Sequence, residues 1–446
     1  IVMKIESIKI NYYKSIKDEM VLNFHSPGII IGQNNSGKSN ILDAIEFALG
    51  GDINDEAIFY DKADIEIDLK FNDQEQDKYQ FPEARAKFVF KNQIRELIFS
   101  NKKIDYNKNL SLILSSNIKR LDEAAFHDYK QIELDYHSLF NHPSNLDKFK
   151  EHLKNHFPKI SASKNAMDIR YENDGLYEGK RRVTIDRLGS GFRRVFTMLL
   201  YSFHPQYSIV MISEPETHLH PAIIKKLFWA MQNSNFGQII LTTHSPLFIT
   251  PISLGSVIRV IKDDKNLTKA FSIDNNKYNF KRLIQELNAD NLEMFFTDKV
   301  ILVEGVSHKL LIRGLIDKFY KGQKDAKVIQ THGKGNMRLY VGLLNIFQIP
   351  YLVVLDRDVI KSNHLRDLMR HLEINLPPLH NEDLINALKD HGIFVFPNGD
   401  LEKNYPRKYQ RDDSKSINAL RAASLITEQD YKSKSMFNLK EIIENI

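Results

Sequence analysis

The sequence predicts an α/β protein built from two domains. Short apolar segments with the pattern of strands alternate with segments whose apolar residues recur at helical spacing, which is typical of α/β folds. The alternation starts again with the apolar segment at 299–303, so we place one domain at residues 1–292 and a second at 297–446. A length of 446 residues is sufficient for two domains that each have a core of their own.

Composition excludes several classes of protein. Hydrophobic residues make up 42% and charged residues 27%, the balance of an ordinary globular protein. The absence of cysteine excludes a disulfide scaffold, a thiol nucleophile and a cysteine-based metal site. No apolar run reaches the ~18 residues that a membrane span needs, so we expect no membrane partner and a cytoplasmic location. The net charge of +5 permits nucleic-acid binding but does not predict it.

Apolar patterns locate the elements of the first domain. The predicted strands lie within 3–24 (as two segments) and at 28–31, 64–71, 86–90, 208–212, 238–242 and 257–261. The spacing of apolar residues from Ile41 to Leu49 predicts a helix. Residues 105–182 lack this rhythm and are rich in polar side chains, so we interpret them as a mostly helical insertion that could serve dimerisation.

The second domain shows the same kind of pattern. The predicted strands are 299–303, 327–330 and 351–355, with helices after the first strand and at 336–347. Residues 407–446 are polar and carry no clear strand pattern, so we expect a partly mobile end of the chain.

A phosphate-binding loop is the most specific motif of the sequence. Residues 32–39, GQNNSGKS, fit the pattern G-x-x-x-x-G-K-[ST] between a predicted strand and a predicted helix. The backbone N–H groups of such a loop surround a β-phosphate, the lysine neutralises the β- and γ-phosphates, and the hydroxyl binds Mg²⁺. We therefore predict nucleotide contacts at Gly32, Asn35, Gly37, Lys38 and Ser39.

Three further segments indicate hydrolysis of the nucleotide. Residues 209–221 read IVMISEPETHLHP, and Glu214 follows the apolar part, where a carboxylate can polarise a water for attack on the γ-phosphate. His244 follows another apolar strand, where its ring can hydrogen-bond the γ-phosphate. Ser190 and Gly191 belong to a Gly-Ser-Gly turn that opens a helix, which is a second anion-binding terminus.

A second acidic constellation lies in the second domain. Glu304 follows the strand at 299–303, and Asp356 and Asp358 follow the strand at 351–355. Because the carboxyl ends of strands line the ligand crevice of an open α/β sheet, we expect these three carboxylates to converge. Hard oxygen ligands of this kind suit Mg²⁺ or Mn²⁺. The sequence therefore predicts a divalent metal site.

In their order and content, the four motifs of the first domain resemble the ABC-type ATPase heads of chromosome-maintenance and recombination proteins. The resemblance implies two ATP molecules held between two heads, with Ser190 and Gly191 acting on the nucleotide of the other subunit. The chain departs from the family at Ser213, where an acid usually holds the water shell of Mg²⁺. Magnesium affinity and turnover are therefore in question.

The second domain resembles the Toprim fold of topoisomerases, bacterial primases and certain nucleases. The turn at 333–336, GKGN, matches the glycine-rich turn that often starts the intervening helix. The resemblance implies that Glu402 is a further metal ligand. The family usually has an acid where this chain has His308, which we count as a candidate ligand. Residues 399–402, GDLE, match the last acidic motif of the fold. The resemblance also implies a basic residue after this motif, and the candidates are Lys403, Arg407, Lys408, Arg411 and Lys415.

An ABC-type head followed by a Toprim unit resembles the OLD (overcoming lysogenisation defect) nucleases, which include the nuclease subunit of the Gabija phage-defence system. The resemblance implies an ATP-regulated endonuclease that uses Mg²⁺ or Mn²⁺ and forms a homodimer or larger assembly. DNA is the first substrate expected, with RNA, including tRNA, as an alternative, and a helicase or other subunit encoded nearby as a candidate partner. The rival hypothesis is an ATP-binding sensor or scaffold with a weakened Toprim unit, which Ser213 and His308 favour.

Overall fold

The computed structural model divides the chain into two compact units, Ile1–Ile273 and Asp274–Ile446. The second unit begins ahead of residue 297, where the sequence pattern placed its start. One reason is that Asn291 belongs to it, since its side-chain amide donates to the Tyr340 hydroxyl at 2.7 Å. The structure describes residues 3–50, 62–92, 94–100, 102–105, 108–156, 160–162, 169–171, 181–183, 185–187, 189–232, 237–250, 252–273, 287 and 289–446.

The described residues of the first unit form three sheets and the helices that pack against them. Its described strands are β1 Lys4–Asn11, β2 Met20–Asn23, β3 Gly28–Ile31, β4 Asp64–Lys70, β5 Arg85–Lys91, β6 Ile94–Phe99, β7 Lys102–Asp105, β8 Ile118–Leu121, β9 Ile160–Ala162, β10 Ile169–Tyr171, β11 Arg181–Val183, β12 Ile209–Ser213, β13 Gln238–Thr243, β14 Val257–Lys262 and β15 Thr268–Ser272. Its described helices are α1 Lys38–Ala48, α2 Asp73–Tyr79, α3 Lys108–Ser116, α4 Glu123–His127, α5 Tyr129–Leu139, α6 Pro143–His156, α7 Ser190–Phe203 and α8 Pro221–Gln232.

An antiparallel sheet forms one layer of this unit, with the strand order β2-β1-β4-β5-β6-β7. Ile65, Ile67 and Leu69 on β4 are buried, while the residues between them are half-buried. This alternation puts one face of the sheet against the core, as the sequence pattern predicts. The core cluster also contains Ile41 and Ile45 of α1, which therefore packs on the same side.

The central sheet has the order β15-β14-β3-β13-β12-β8, in which every neighbouring pair is parallel except the one that includes β15. All residues of β3 and β13 are buried, because both faces of a parallel sheet are covered. The carboxyl ends of β3, β13 and β12 are neighbours at one edge of the sheet. The phosphate loop, His244 and Glu214 follow directly from these ends.

The segment 105–182, interpreted above as a mostly helical insertion, contains helices α3 to α6 and the small antiparallel sheet β11-β10-β9. It also contributes β8, which pairs in parallel with β12 at the edge of the central sheet. Part of this segment is therefore integral to the core architecture. The pattern did not reveal β8, because its four residues, IKRL, include two cations and no regular alternation.

The second unit is a parallel sheet with helices packed around it. Its strands are β16 Lys299–Val303, β17 Ala326–Gln330, β18 Tyr351–Leu355 and β19 Ile393–Val395, in the order β17-β16-β18-β19. Its described helices are α9 Ala289–Leu292, α10 Val306–Phe319, α11 Met337–Ile346, α12 Asn363–His371, α13 Asn381–Lys389, α14 Lys415–Leu425, α15 Glu428–Tyr431 and α16 Phe437–Glu444. Because β16 and β18 are adjacent, the residues that follow them lie side by side.

The expectation of a mobile end at 407–446 is wrong. This segment folds into α14, α15 and α16, and Met436, Leu439, Ile442 and Ile443 are almost completely buried in the core of the second unit. Their helical spacing is short and is interrupted by polar residues, so it gave little signal in the sequence. Among the described residues, no helix has the length and apolar character that crossing a bilayer requires.

Helices α10 and α14 approach each other closely at Gly314. A Cβ atom at this position would lie 2.6 Å from the Cβ atom of Ala423. Carbon atoms that are not bonded to each other reach their optimal separation only at about 3.5–4.0 Å. Glycine in the middle of a helix costs about 1 kcal/mol relative to alanine, so its presence here indicates that this contact sets the helix spacing.

We expect Gly314→Ala to destabilise the second unit, because the two Cβ atoms must be forced apart. Overpacking of a core typically costs about 1–3 kcal/mol, which exceeds the gain in helix propensity. Chemical denaturation of the full chain measures this change.

The double variant Gly314→Ala with Ala423→Gly is the matched control, because it removes the second Cβ atom. We expect it to lose less stability than the sum of the two single variants. Higher stability of Gly314→Ala than of the wild type would contradict the close contact.

Candidate nucleotide and metal sites

The phosphate loop joins β3 to α1 and depends on two glycines. Gly32 has φ +156° and Gly37 has φ +102°, conformations that residues with a side chain rarely adopt. A Cβ atom on Gly32 would lie 2.2 Å from the Val260 carbonyl oxygen, and one on Gly37 would lie 2.2 Å from Oγ1 of Thr268. The loop can therefore have this shape only with glycine at both positions.

The side chain of Lys38 is buried and hydrogen-bonded within the loop. Nζ of Lys38 donates to the carbonyl oxygens of Gly32 and Gln33, both at 2.9 Å, and the residue is only 5% exposed. Burial lowers the pKa of Lys38, while Glu214 and Glu216 act in the opposite direction. The ammonium thus lies inside the loop and within electrostatic reach of the two acids that follow β12.

Ser39 and Asn35 are also on the loop surface that a nucleotide would meet. Ser39 is exposed in the first turn of α1, and Asn35 adopts a positive φ of 62°. Oδ1 of Asn35 accepts a hydrogen bond from Nζ of Lys262 at 3.3 Å. The structure therefore presents both predicted contact residues at the amino end of α1.

Three buried oxygens in this region lack a hydrogen-bond partner among the described residues. They are Oγ of Ser36, Oγ of Ser213 and Oε2 of Glu216. Buried polar atoms are nearly always hydrogen-bonded in folded proteins. These oxygens and the lysine together fit a hydrated, charged ligand such as a nucleotide with Mg²⁺.

The turn after β12 brings two acids to His244. Glu214 has a positive φ of 48°, and its N–H donates to the carbonyl oxygen of Thr242 at 2.9 Å. Glu216 is buried, and its Oε1 accepts from the Thr243 hydroxyl at 2.6 Å and from the His244 N–H at 2.9 Å. Nδ1 of His244 lies 3.2 Å from this same oxygen and 3.8 Å from Oε1 of Glu214.

Glu216 is a residue that the sequence motifs did not reveal. Its three contacts with Thr243 and His244 bind the acidic turn to the end of β13 and orient the imidazole. A signal was present in the E-x-E spacing after an apolar strand. The buried acid could not be told from the exposed acid without the fold, because both follow the same strand.

The glycine-serine turn at the start of α7 is linked to the same acidic turn. Ser190 is exposed at the first helical position, and a Cβ atom on Gly191 would lie 3.0 Å from the His218 carbonyl oxygen. Farther along α7, the buried Arg194 donates to the carbonyl oxygen of Glu214 at 3.0 Å. It also donates to Oε2 of Glu123 at 2.8 Å. A buried side chain therefore connects α7 with the backbone of Glu214.

In the second unit, two acids at neighbouring strand ends are hydrogen-bonded. Oε1 of Glu304 accepts from the Asp356 N–H at 2.9 Å. Burial raises the pKa of Glu304, whereas this hydrogen bond and the cation of Lys334 act in the opposite direction. Nζ of Lys334 lies 3.9 Å from Oε2 of Glu304 and forms an ion pair with the exposed Asp358. The three predicted carboxylates are therefore neighbours.

His308 lies at the same place. Its Nε2 is 3.2 Å from Oδ1 of Asp356, and the ring stacks on Phe396 with centroids 6.0 Å apart. The side chain is only 8% exposed, because α10 starts directly after Glu304 and turns this residue inward. The structure thus places the candidate ligand against one of the predicted carboxylates.

Glu402 is paired with a lysine. Nζ of Lys415 lies 3.3 Å from Oε2 of Glu402 and 3.1 Å from Oδ2 of Asp400. The hydrogen bond from Lys415 lowers the pKa of Asp400. Of the five basic candidates, Lys415 pairs with both acids of this motif through its ammonium, Lys403 contacts the motif through a 3.0 Å hydrogen bond from its N–H to the Asp400 carbonyl oxygen, and Lys408 pairs with Asp430 instead.

The donor set of the second unit is suited to a hard divalent cation. It consists of carboxylates, which suit Mg²⁺ and Mn²⁺, with one imidazole, which suits a transition-metal ion better than Mg²⁺. A buried glutamate with a raised pKa also gains from any cation placed beside it. However, in the part of the chain that the structure describes, no three His, Asp or Glu side chains converge in a ready-made ligand group.

We expect Glu216→Ala to destabilise the first unit. The substitution leaves the buried Thr243 hydroxyl and the part-buried His244 N–H without their acceptor, and an orphaned buried donor such as the Thr243 hydroxyl costs about 1–3 kcal/mol. Thermal or chemical denaturation of the full chain tests this.

Glu19→Ala is the matched control, because Glu19 is 57% exposed and only forms a surface ion pair with Lys9. A surface pair of this kind is worth about 1 kcal/mol at most. Equal losses of stability in the two variants would contradict the structural role of Glu216.

Comparisons with known proteins find a matching family model for each of the two units. Residues 29–250 match the family model "AAA domain, putative AbiEii toxin, Type IV TA system". Residues 295–358 match the model "Overcoming lysogenization defect protein-like, TOPRIM domain". Among solved structures, an Smc head is similar with a TM-score of 0.47 and 16% identity, covering 61% of this chain and 98% of that chain.

Two kinds of curated relative are similar in sequence. The "OLD nuclease" of Thermus scotoductus is 28% identical over 193 residues, which are 39% of this chain and 36% of that protein. The "Endonuclease GajA" of Bacillus cereus is 24% identical over 253 residues, which are 47% of this chain and 37% of that protein. The chain thus spans between a third and a half of the curated relatives it matches. Because a match to an ATPase domain precedes a match to an OLD-like Toprim domain in one chain, and the relatives carry OLD and GajA nuclease names, the comparisons support an OLD-family protein that joins an ATPase domain to a Toprim domain.

Proposed function

We propose that the protein is an ATP-regulated, metal-dependent endonuclease that hydrolyses nucleic-acid phosphodiester bonds. The observation that carries the proposal is the hydrogen bond between Glu304 and Asp356, with Asp358 and His308 beside it, in a chain that also has a complete phosphate loop. The nuclease names of the relatives support the same activity. DNA is the proposed substrate, and RNA or tRNA is the alternative.

In the first unit, the proposed ligand is ATP with Mg²⁺. Lys38 neutralises the β- and γ-phosphates, and the hydroxyl of Ser39 is the proposed magnesium ligand. Glu214 orients the attacking water as its general base, and His244 donates a hydrogen bond to the γ-phosphate. The buried Glu216 supports this last role by position, because its Oε1 accepts from the His244 N–H at 2.9 Å and lies 3.2 Å from Nδ1, which orients the imidazole.

Ser190 and Gly191 have a proposed role at the nucleotide of a second copy of the chain. Their support is an exposed position at the amino end of α7, where unpaired backbone N–H groups favour an anion. Arg194 then connects this end of α7 with Glu214 of the same chain. A homodimer or larger assembly follows from this arrangement.

In the second unit, we propose that Glu304, Asp356, Asp358, Glu402 and His308 hold Mg²⁺ or Mn²⁺. When bound, the cation supplies Lewis-acid stabilisation of the phosphate and of the leaving oxygen. Glu304 and Asp356 keep a fixed separation through their hydrogen bond, and His308 orients the Asp356 carboxylate. Lys415 holds Glu402 through an ion pair and adds positive charge beside it.

We place this activity in bacterial anti-phage defence, as the resemblance to the Gabija nuclease implies, and in the cytoplasm, where ATP and the nucleic acid are both present. A helicase or other defence subunit is a proposed partner. The rival sensor or scaffold function rested on Ser213 and His308. The contact of His308 with Asp356 does not favour it, because the imidazole lies at the carboxylates.

Lys38→Ala should abolish ATP binding, because the triphosphate would then lack its buried counter-charge. Glu214→Gln should keep ATP binding and lose hydrolysis, and ATP should shift this variant to a dimer or larger species. Calorimetry, phosphate release and solution mass measure the three effects.

The control for this series is Lys225→Ala, which removes an exposed lysine of α8 and should leave ATP affinity unchanged. Equal ATP affinity of Lys38→Ala and the wild type would refute the nucleotide site. A monomeric mass of Glu214→Gln with ATP at micromolar concentration would refute the assembly.

Asp358→Ala should abolish cleavage of plasmid DNA in the presence of Mg²⁺ or Mn²⁺, because it removes one of the proposed ligands. Gel analysis with and without ATP shows both the cleavage and its regulation. Asp383→Ala, at an exposed position of α13, is the matched control and should cleave like the wild type. Undiminished cleavage by Asp358→Ala would exclude this site as the nuclease centre.

A further inference from the structure

The turn between β17 and α11 is fixed against the end of β16. The Thr331 N–H donates to the Val303 carbonyl oxygen, and the Gly333 N–H donates to the Glu304 carbonyl oxygen, both at 2.9 Å. Asn336 closes the turn through a 3.0 Å hydrogen bond from its amide to the carbonyl oxygen of Thr331. Gly333 has a positive φ of 112°, so the backbone reverses at this point. The position of the next residue, Lys334, is therefore determined by a rigid turn.

This turn directs Lys334 to the proposed metal ligands. Its ammonium forms an ion pair with Oδ1 of Asp358 and lies 3.9 Å from Oε2 of Glu304. The lysine side chain is 19% exposed and the glutamate side chain 12% exposed, so both charges are largely removed from water. His308 lies beside this group and faces Asp356.

Electrostatics explains why a cation is needed here. Burial makes the ionised form of Glu304 unfavourable, and the nearby negative charge of Asp356 adds to this effect. The ammonium of Lys334, between Glu304 and Asp358, stabilises the ionised form of Glu304 and so offsets the effects of burial and of Asp356. It also leaves the carboxylates arranged around a monovalent cation, which agrees with the lack of a ready-made group of three ligands in the described residues.

We propose that Lys334 is a built-in counter-cation of the Toprim carboxylates, and that a divalent cation must displace its ammonium to bind. The inference deepens the proposed function and rests on it. A divalent ion beside Glu304 and Asp358 is repelled by the ammonium and competes with it for the same oxygens. Lys334 thus sets the divalent-ion concentration at which the site fills.

The proposal is tested by the binding of Mn²⁺ to the full chain without ATP or nucleic acid, measured by electron paramagnetic resonance of free Mn²⁺. Lys334→Met keeps the length of the side chain but removes its charge, so we expect a Kd at least about tenfold lower than in the wild type. Lys334→Arg keeps the charge and should bind Mn²⁺ as weakly as the wild type. Lys432→Met, which removes a lysine that pairs with Glu428 instead, is the matched control and should not change the Kd.

A second measurement uses the wild type and does not depend on the folding of a variant. Mn²⁺ should increase the reactivity of the Lys334 amine towards an amine-specific label, as quantified by mass spectrometry, because displacement exposes it. The reactivity of Lys432 should stay constant. Unchanged labelling of Lys334 when Mn²⁺ is bound would show that no displacement occurs.

The outcomes separate this inference from the nuclease function. Equal or weaker Mn²⁺ binding by Lys334→Met overturns the role of Lys334 alone, since the metal site itself is then intact. Absence of Mn²⁺ binding in the wild type and in every variant overturns the metal-dependent function and the role of Lys334 together. Two results together support both the role of Lys334 and the metal-dependent function. Lys334→Met binds Mn²⁺ more tightly than the wild type, and Asp358→Ala loses DNA cleavage while its control Asp383→Ala does not.

Discussion

Both units of this protein depend on the way parallel strands end. In a parallel sheet, all carboxyl ends lie at the same edge, so residues far apart in the chain become neighbours there. In the first unit, β13 lies between β3 and β12, which brings His244 between the phosphate loop and Glu214. In the second unit, the pairing of β16 with β18 places Glu304 against the backbone of Asp356. The chemistry at each edge follows from this arrangement.

Charged side chains are buried at these sheet edges, so each of them needs a neighbouring charge of opposite sign. The ammonium of Lys38 is removed from water and is compensated by Glu214 and Glu216. Glu304 is likewise buried, and its charge is balanced by the neighbouring Lys334. A buried charge without a partner would cost several kcal/mol, so each unit contains acids and cations in matched positions. The same groups that stabilise the fold therefore make up the candidate sites.

Much of the architecture could be predicted from local patterns. The central strands of both units were predicted because apolar residues make up nearly all of each strand, as in β3, β12 and β18. Edge strands such as β8 and β19 were missed, since β8 contains two cations without a regular alternation and β19 is only three residues long. The helical end of the chain was missed for a related reason. Its apolar residues stand in short groups between polar residues, and only their burial against β16 and its neighbours shows that they belong to the core.

The sequence by itself determined the order of the motifs: a phosphate loop, an acidic strand end, a histidine, and then two further acidic strand ends. These signals are local, because each motif depends on a few consecutive residues with fixed spacing. The partners of each charged side chain were decided only by the tertiary structure. Glu216, Lys334 and Lys415 look like ordinary surface charges in the sequence, and their roles arise because strand pairing and rigid turns bring distant residues within a few ångströms. Electrostatic energy depends on those distances and on burial, and neither can be read from spacing along the chain.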